Sequence, residues 1–198
     1  MHPWVRFLAQ AASCALLVLA TGSAGARTVT LDAARFPDPA VVDGVSLPMN
    51  GAGIRTRLMF KVYAAGLYLE KKASTPAEVY ALRGPKRISV TMLRDIDSTE
   101  LGKLFSRGME DNMDKAAFSK LIPGVLRMSQ IFSEHKKLMA GEQFVVDWLP
   151  GTGTQVTVKG VPQGEPFKEP EFFNALLGIW LGSQPADWKL KDALLGKE

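Results

Sequence analysis

The sequence predicts an α+β domain, in which helices pack on one mostly antiparallel sheet. Strand-like segments come first, and helical segments then alternate with further strands without the strict order that a parallel sheet requires. Two segments, Gln143–Leu149 and Gln155–Lys159, have a two-residue hydrophobic period and flank Gly151-Thr152-Gly153, which predicts a hairpin. A third indication is the long alternating segment from Ile54 to Glu70.

The composition is that of an ordinary globular protein. The chain has 198 residues, of which 46% are hydrophobic and 22% charged, so it is long enough for one core. These fractions disfavour a disordered, collagenous or polytopic membrane protein. The formal net charge of +4 is small, and basic and acidic residues are interspersed. We therefore expect no nucleic-acid partner.

The first 26 residues have the pattern of a secretory signal peptide. A weakly basic start with Arg6 precedes a mostly apolar run from Phe7 to Ala20, and Ala24-Gly25-Ala26 offers small residues for cleavage. The run is shorter than the about 20 residues that span a bilayer, and Cys14 lies inside it without a lipobox. We expect cleavage after Ala26, a periplasmic protein without stable membrane insertion, and a single domain over residues 27–198.

Few reactive side chains remain after the first 26 residues. Residues 27–198 contain no cysteine and one histidine, His135, in a charged segment at the end of a predicted helix. Cysteine nucleophiles, zinc sites built from cysteine and histidine, and covalent haem attachment are therefore excluded for this part. No Gly-x-Ser-x-Gly motif accompanies the histidine. We expect neither a metal nor a cofactor.

Several strands are expected in the first half of the domain. Residues 28–47 contain short apolar runs broken by prolines and by Asp43-Gly44, and Asn50-Gly51 indicates a tight turn. Ile54 to Glu70 is the clearest strand region. Both of its alternating series are largely apolar, which predicts a central strand covered on both faces in its second half. Lys86–Leu93 follows as a strand rich in β-branched residues.

Five helices are expected from capping residues and helical periodicity. The first begins at Thr75, and the second runs from Asp97, the start of a segment that resembles a capping box, to Asn112. The remaining three are predicted over Val125–Met139, Phe172–Leu181 and Ala186–Leu195.

Four segments of the chain carry a recognisable pattern. They are Asn50-Gly51-Ala52-Gly53-Ile54-Arg55, the strand 61–70 with the sequence KVYAAGLYLE, the helix segment 105–112 with the sequence FSRGMEDN, and Ala175-Leu176-Leu177-Gly178. Together they resemble the chalcone isomerase family, in particular its bacterial branch with signal peptides, over most of residues 27–198. The resemblance implies an open-faced β-sandwich, with a layer of helices on one face of a large antiparallel sheet and an apolar cleft between them.

The resemblance also implies roles for individual residues. In plant chalcone isomerase an arginine stabilises the enolate oxygen during ring closure, and Arg55 takes its place. Asn112 matches the asparagine that contacts a ring hydroxyl of the substrate. A threonine, a tyrosine and a second threonine of the family's site correspond to Tyr63, Phe105 and Ala175. Because these hydroxyl groups are lost or displaced, efficient flavonoid cyclisation is not expected.

Arg55 also supports a binding function that requires no catalysis. A guanidinium beside an apolar cleft is a permanent cation with planar donors, which suits a carboxylate or an oxyanion. In the family's fatty-acid-binding branch the equivalent arginine holds the carboxylate. The leading hypothesis is a non-catalytic or weakly catalytic periplasmic binder of a small amphipathic anion such as a fatty acid.

Two other functions remain open at this point. One is an isomerase acting on a chalcone-like enone, with Arg55 stabilising the oxyanion and Tyr63 donating a proton. The other is a structural partner of an envelope complex without a small ligand.

The candidate site residues follow from these hypotheses. The catalytic candidates are Arg55 and Tyr63. The ligand-binding candidates are Arg55, Tyr63, Phe105, Met109, Asn112, Ala175 and Leu176. The apolar residues expected to line the cavity are Phe60, Leu104, Phe105, Met109, Leu176 and Ile179, and plain core packing is the alternative for each of them.

Overall fold

A computed structural model describes residues 27–197 and shows an antiparallel sheet with helices packed on it. The strands are β1 (Arg27–Leu31), β2 (Ala34–Asp38), β3 (Ala40–Val42), β4 (Val45–Leu47), β5 (Met49–Arg57), β6 (Phe60–Leu69), β7 (Lys86–Met92), β8 (Ile96–Asp97), β9 (Lys137–Leu138), β10 (Gln143–Leu149), β11 (Gly153–Val158) and β12 (Val161–Pro162). The helices are α1 (Pro76–Ala81), α2 (Ser98–Glu110), α3 (Lys115–Ser133), α4 (Pro170–Leu181) and α5 (Trp188–Leu194). This architecture confirms the predicted α+β class.

The main sheet has six strands in the order β12-β11-β10-β7-β6-β5, and every pairing is antiparallel. The larger core lies between this sheet and the helices, where α4 is buried along nearly its whole length because almost all of its residues are apolar. A smaller core lies on the opposite face, where the hairpins β1-β2 and β3-β4 cover part of the sheet.

Strand β6 separates the two cores, as its two apolar series predict. Tyr63, Ala65 and Leu67 face the helices and belong to the larger core. Ala64 and Tyr68 face the two small hairpins. The prediction that the second half of this strand is central and covered on both faces is therefore confirmed.

The prediction of one continuous strand from Ile54 to Glu70 is wrong, because the segment contains a hairpin. Strand β5 ends at Arg57, Leu58 and Met59 form an exposed turn, and β6 returns beside β5. The predicted turn at Asn50-Gly51 is also wrong, since both residues lie inside β5. The apolar side chains at the true turn continue the alternating pattern and hide the chain reversal.

The prediction of a helix over Val125–Met139 is also wrong. Helix α3 begins ten residues earlier, at Lys115, with Asp114 accepting a hydrogen bond from the backbone amide of Ala117. Pro123 lies inside the helix on its exposed side. Its missing N–H leaves one helical bond unmade, which solvent can compensate there. The helix ends at Ser133, and Leu138 belongs to the short strand β9 instead.

The remaining helices start near their predicted positions. The carboxylate of Asp97 accepts a hydrogen bond from the Glu100 amide at the start of α2. Asp187 caps α5, which therefore begins at Trp188. None of the helices in the described part of the chain is long and apolar enough to cross a membrane. The predicted signal peptide, residues 1–26, lies outside the described residues.

Candidate binding cavity

An apolar cavity of about 180 Å³ lies between the sheet and helices α2 and α4. Its floor is formed by Arg55 and Tyr63 from neighbouring strands. The apolar part of its wall consists of Leu101, Leu104, Phe105, Phe144, Ile179 and Trp180. The loop between α4 and α5, residues 182–187, closes one side through Gln184, Pro185 and Ala186. Cationic and apolar groups thus line the same cavity.

Arg55 holds its guanidinium beside this cavity without a carboxylate partner. Its guanidinium carbon lies 5.6 Å from the ring centroid of Tyr63, its cross-strand neighbour. Its Nε donates a long hydrogen bond, 3.4 Å, to the carbonyl of Ala186. Among residues 27–197, no acidic side chain lies within 4.0 Å of it to form an ion pair. Its remaining donors are therefore available to an anion.

Tyr63 presents a neutral hydroxyl group to the same space. The side chain is 5% exposed, and its oxygen accepts a hydrogen bond of 2.9 Å from Nε1 of Trp180. Burial raises the pKa of Tyr63 to about 12, which the nearby cation of Arg55 opposes. The phenol stays protonated at neutral pH. Its own proton is thus free to be donated to a ligand oxygen, whereas it cannot act as a base.

Phe105 forms part of the aromatic wall. Its ring centroid lies 4.9 Å from that of Phe132, 5.5 Å from that of Phe144 and 6.2 Å from that of Trp180. Rings at these separations stabilise one another beyond the effect of their burial. Because Phe105 has no hydroxyl group, its side chain can contact an apolar ligand but cannot hold a water molecule by hydrogen bonding.

Three polar residues at the cavity were not predicted from the sequence. Arg107 lies on the exposed side of α2, the exposed Asp111 directly follows the end of that helix, and Gln184 lies in the loop after α4. Arg107 and Asp111 follow Leu104 at helical spacing, three and seven residues later, and this spacing is a signal that could have identified both. Gln184 lies 72 residues beyond Asn112, its hydrogen-bond partner, and carries no such signal.

The structure brings together only some of the predicted site residues. Arg55, Tyr63 and Phe105 line the cavity, as do Leu104 and Ile179. Met109 and Leu176 do not, because both are fully packed in the core. Phe60 lies at the exposed end of the β5-β6 hairpin instead of in the cavity. Roles in binding for the residues that do line the cavity stay predictions.

Asn112 and Ala175 lie beside a different, shallow cleft between α1, α4 and the end of α2. The amide of Asn112 donates to the carbonyls of Gly108 and Gln184 and accepts from the Gln184 amide, at 2.7 to 2.9 Å. These bonds fasten the loop after α4 to helix α2. Asn112 therefore shapes the cavity by positioning Gln184, and its own polar atoms are already engaged.

Two glycines explain how the loop before α5 reaches Arg55. A side chain at Gly51 would overlap the carbonyl oxygen of Ala193, and a Cβ at Gly53 would lie 2.7 Å from the Cβ of Ala193. Helix α5 packs directly on the backbone of β5 because these side chains are missing. Strand β5 also has a register shift between Arg55 and Thr56. At this point the Thr56 amide donates a hydrogen bond of 3.0 Å to the carboxylate of Asp187. The glycine-rich segment thus serves close packing and not a turn.

Comparison with known proteins agrees with this fold. A family model described as chalcone isomerase-like matches residues 28–196. No curated protein matches the chain. Among solved structures, a fatty-acid binding protein of Arabidopsis thaliana has a TM-score of 0.65 and 17% sequence identity, with 86% of this chain and 97% of that chain covered. At this identity the likeness establishes a shared fold, which is the large antiparallel sheet with a layer of helices that the family resemblance implies.

Proposed function

The chain belongs to the chalcone isomerase-like family, and on that basis we propose that it is a non-catalytic or weakly catalytic binding protein for a small amphipathic anion such as a fatty acid. The observation that carries the proposal is the guanidinium of Arg55, which has no acidic partner within 4.0 Å among the described residues and faces an apolar cavity. An amphipathic anion matches both features of this cavity. Its anionic head would pair with Arg55, and its apolar tail would pack against the aromatic wall. The fatty-acid binding protein that shares the fold supports the same ligand class.

The size of the cavity limits the ligand. Its volume of about 180 Å³ is below the roughly 300–1,000 Å³ of pockets that bury drug-sized molecules. The large rings of Phe105 and Trp180 line this cavity, with their centroids 6.2 Å apart. We therefore expect a medium-length carboxylate such as octanoate to fit without rearrangement, and longer chains to require movement of these rings.

Calorimetric titration with octanoate and with octanol tests the proposal. The two probes share an eight-carbon chain and differ in the charge that Arg55 would meet. Octanoate is expected to bind about 10-fold or more tightly than octanol, since hydrogen bonds to charged groups contribute roughly 1.5–3 kcal/mol. Equal affinities for the two probes, or no detectable binding of either probe, would contradict the proposal that the protein binds an amphipathic anion.

An isomerase is the second candidate, and the placement of Tyr63 beside Arg55 favours it. A neutral phenol could protonate an enolate while the guanidinium stabilises its charge. The cavity nevertheless lacks the hydroxyl that Phe105 replaces. Loss of one oxyanion donor typically costs about 100- to 1,000-fold in rate. We therefore expect the protein to accelerate chalcone cyclisation little at pH 7.

Measuring flavanone formation decides between binder and enzyme. A turnover near 10 per second, about the value of a typical enzyme, would contradict the binding proposal. Tyr63→Phe should then lose most of that rate, because it removes the proton donor and leaves the ring in place.

We further propose that the protein acts in the periplasm after its first 26 residues are removed. The support is the apolar run followed by Ala24-Gly25-Ala26. The intact mass of protein recovered from the export compartment should correspond to a chain that begins at Arg27. Recovery of the chain with Met1 still attached, in a membrane fraction, would contradict this proposal.

A further inference from the structure

The end of the β5-β6 hairpin exposes a run of large apolar side chains. Leu58 is 90% exposed, Met59 is 83% exposed and Phe60 is 52% exposed. No other run of three consecutive large apolar residues is this exposed among residues 27–197. We call these three residues the hairpin tip. Contiguous exposed apolar groups on a soluble domain typically indicate a contact with another apolar phase or partner.

The backbone of the hairpin tip points to a role for the leucine side chain. Leu58 has a φ angle of 56°, in the left-handed region that disfavours L-residues with a side chain. Glycine or asparagine fits such a turn with less strain. A turn that only connected two strands would be better served by either of them. The structure instead combines an unfavourable backbone conformation with an almost fully exposed leucine.

Cationic side chains surround the hairpin tip. Arg57 precedes it and Lys61 follows it, and the guanidinium carbon of Arg94 lies 4.7 Å from the ring centroid of Phe60. Lys61 is paired with Asp32 at 2.7 Å, whereas Arg57 and Arg94 have no ion pair within 4.0 Å in the described part of the chain. The local charge is therefore positive. Exposed apolar side chains beside cations that have no ion pair suit an anionic lipid surface. The apolar groups match the acyl-chain boundary, and the cations match the charged headgroups.

The hairpin tip is also close to the cavity. Leu58 lies three residues beyond Arg55 along the same hairpin, or about 10 Å at the rise of a strand. Thr56 lies between Arg55 and the hairpin tip, and its amide binds Asp187, which the exposed Trp188 follows. Lys191 places its Nζ 4.9 Å from the ring centroid of Trp188. An aromatic ring beside a cation is a common arrangement at a membrane interface.

We propose that the hairpin tip docks the protein on the surface of an anionic lipid bilayer. Leu58 and Met59 enter the boundary between headgroups and acyl chains, while Arg57 and Arg94 contact lipid phosphates. Docking in this orientation brings the cavity close to the lipid layer, in which amphipathic anions dissolve. The contact is peripheral and reversible, and it does not depend on the ligand proposed for the cavity.

Vesicle co-sedimentation tests the proposal. Both cores consist of residues between 27 and 197, so the chain starting at Arg27 contains both of them. This chain is mixed with vesicles of phosphatidylcholine alone or of equal parts phosphatidylcholine and phosphatidylglycerol. Binding is expected only to the anionic vesicles. It should weaken when the salt rises from about 0.1 M to about 1 M, which shortens the screening length from about 10 Å to about 3 Å.

Two matched variants separate the hairpin tip from general surface hydrophobicity. The variant Leu58→Asn with Met59→Ser keeps a residue suited to the left-handed turn, so it is expected to fold and to bind vesicles about 10-fold or more weakly. The control Ile122→Ser with Leu126→Ser removes two exposed apolar side chains from α3 and is expected to bind like the wild type. Octanoate binding without vesicles should be the same for the wild type and the hairpin-tip variant.

Several results would overturn the docking proposal. One is absence of wild-type binding to the anionic vesicles. Another is equal vesicle binding by the wild type and the hairpin-tip variant, at matching melting temperatures. A third is self-association of the wild type, measured by sedimentation without lipid and abolished in the variant, which would assign the hairpin tip to contact with a second copy of the chain. Each is distinguishable from failure of the binding proposal, because octanoate titration uses no lipid.

Discussion

Replacing Arg55 by alanine is expected to weaken octanoate binding by roughly 10- to 150-fold, since a hydrogen bond to a charged group contributes about 1.5–3 kcal/mol. The guanidinium is the cation placed on the floor of the cavity, and its one protein hydrogen bond in the described residues is the long one to Ala186. The melting temperature should therefore fall by only a few degrees. Calorimetry with octanoate and thermal unfolding of the free protein measure the two effects.

The control for this prediction is Arg57→Ala. Arg57 is in the same strand, but it is exposed and does not line the cavity, so octanoate affinity should be unchanged. Octanol provides a second control, because Arg55→Ala should alter its affinity little. A loss of equal size for both probes would mean that the substitution changes the shape of the cavity and not its charge.

Replacing Gly51 by alanine is expected to destabilise the fold by about 3 kcal/mol, the upper part of the range for overpacked sites. The new side chain would overlap the backbone carbonyl of Ala193, which cannot rotate away as a flexible side chain can. Helix α5 must move off β5 to accommodate it. For a domain of this size we expect the melting temperature to fall by about 6–12 °C.

The matched control is Gly102→Ala in helix α2. A Cβ at Gly102 would lie 3.4 Å from the nearest atom, Cα of Ser129, which is an ordinary contact, and alanine favours a helix over glycine by about 1 kcal/mol. This variant should melt at or above the wild-type temperature. Octanoate affinity should fall in Gly51→Ala and stay unchanged in Gly102→Ala. Displacement of α5 in the first variant moves Ala186 away from Arg55. Equal melting temperatures for both variants would show that α5 does not rest this closely on β5.

The family and the fold class were predictable because they depend on patterns spread over many residues. The two apolar series of β6 require cover on both faces, and the structure supplies two cores. Turns depend on single residues and were less predictable. Leu58 and Met59 look like strand residues but form a turn, whereas Asn50-Gly51 looks like a turn but lies in a strand. In both places contacts distant in sequence override the local preference.

Arg55 and Tyr63 were predictable as site residues because each matches a position of the family. Their pairing across the β5-β6 hairpin was not predictable, since the sequence pattern indicates one continuous strand there. Asn112 was assigned to a ligand because its amide matched a family position. In the structure, that side-chain amide forms hydrogen bonds with the backbone of Gln184, a residue distant in sequence. Contacts of this kind depend on how loops pack, and the sequence pattern contains no information on them.

The two outermost strands of the main sheet also bear on self-association. An uncovered edge strand offers free amides and carbonyls to another chain and can start fibrillar aggregation. At one edge, β12 has only two residues and ends in Pro162, which has no N–H to donate. At the other edge, β5 has two irregularities in its register, lies under α5 and gives its Thr56 amide to Asp187. Growth of the sheet by addition of strands from neighbouring molecules is thus disfavoured at both ends.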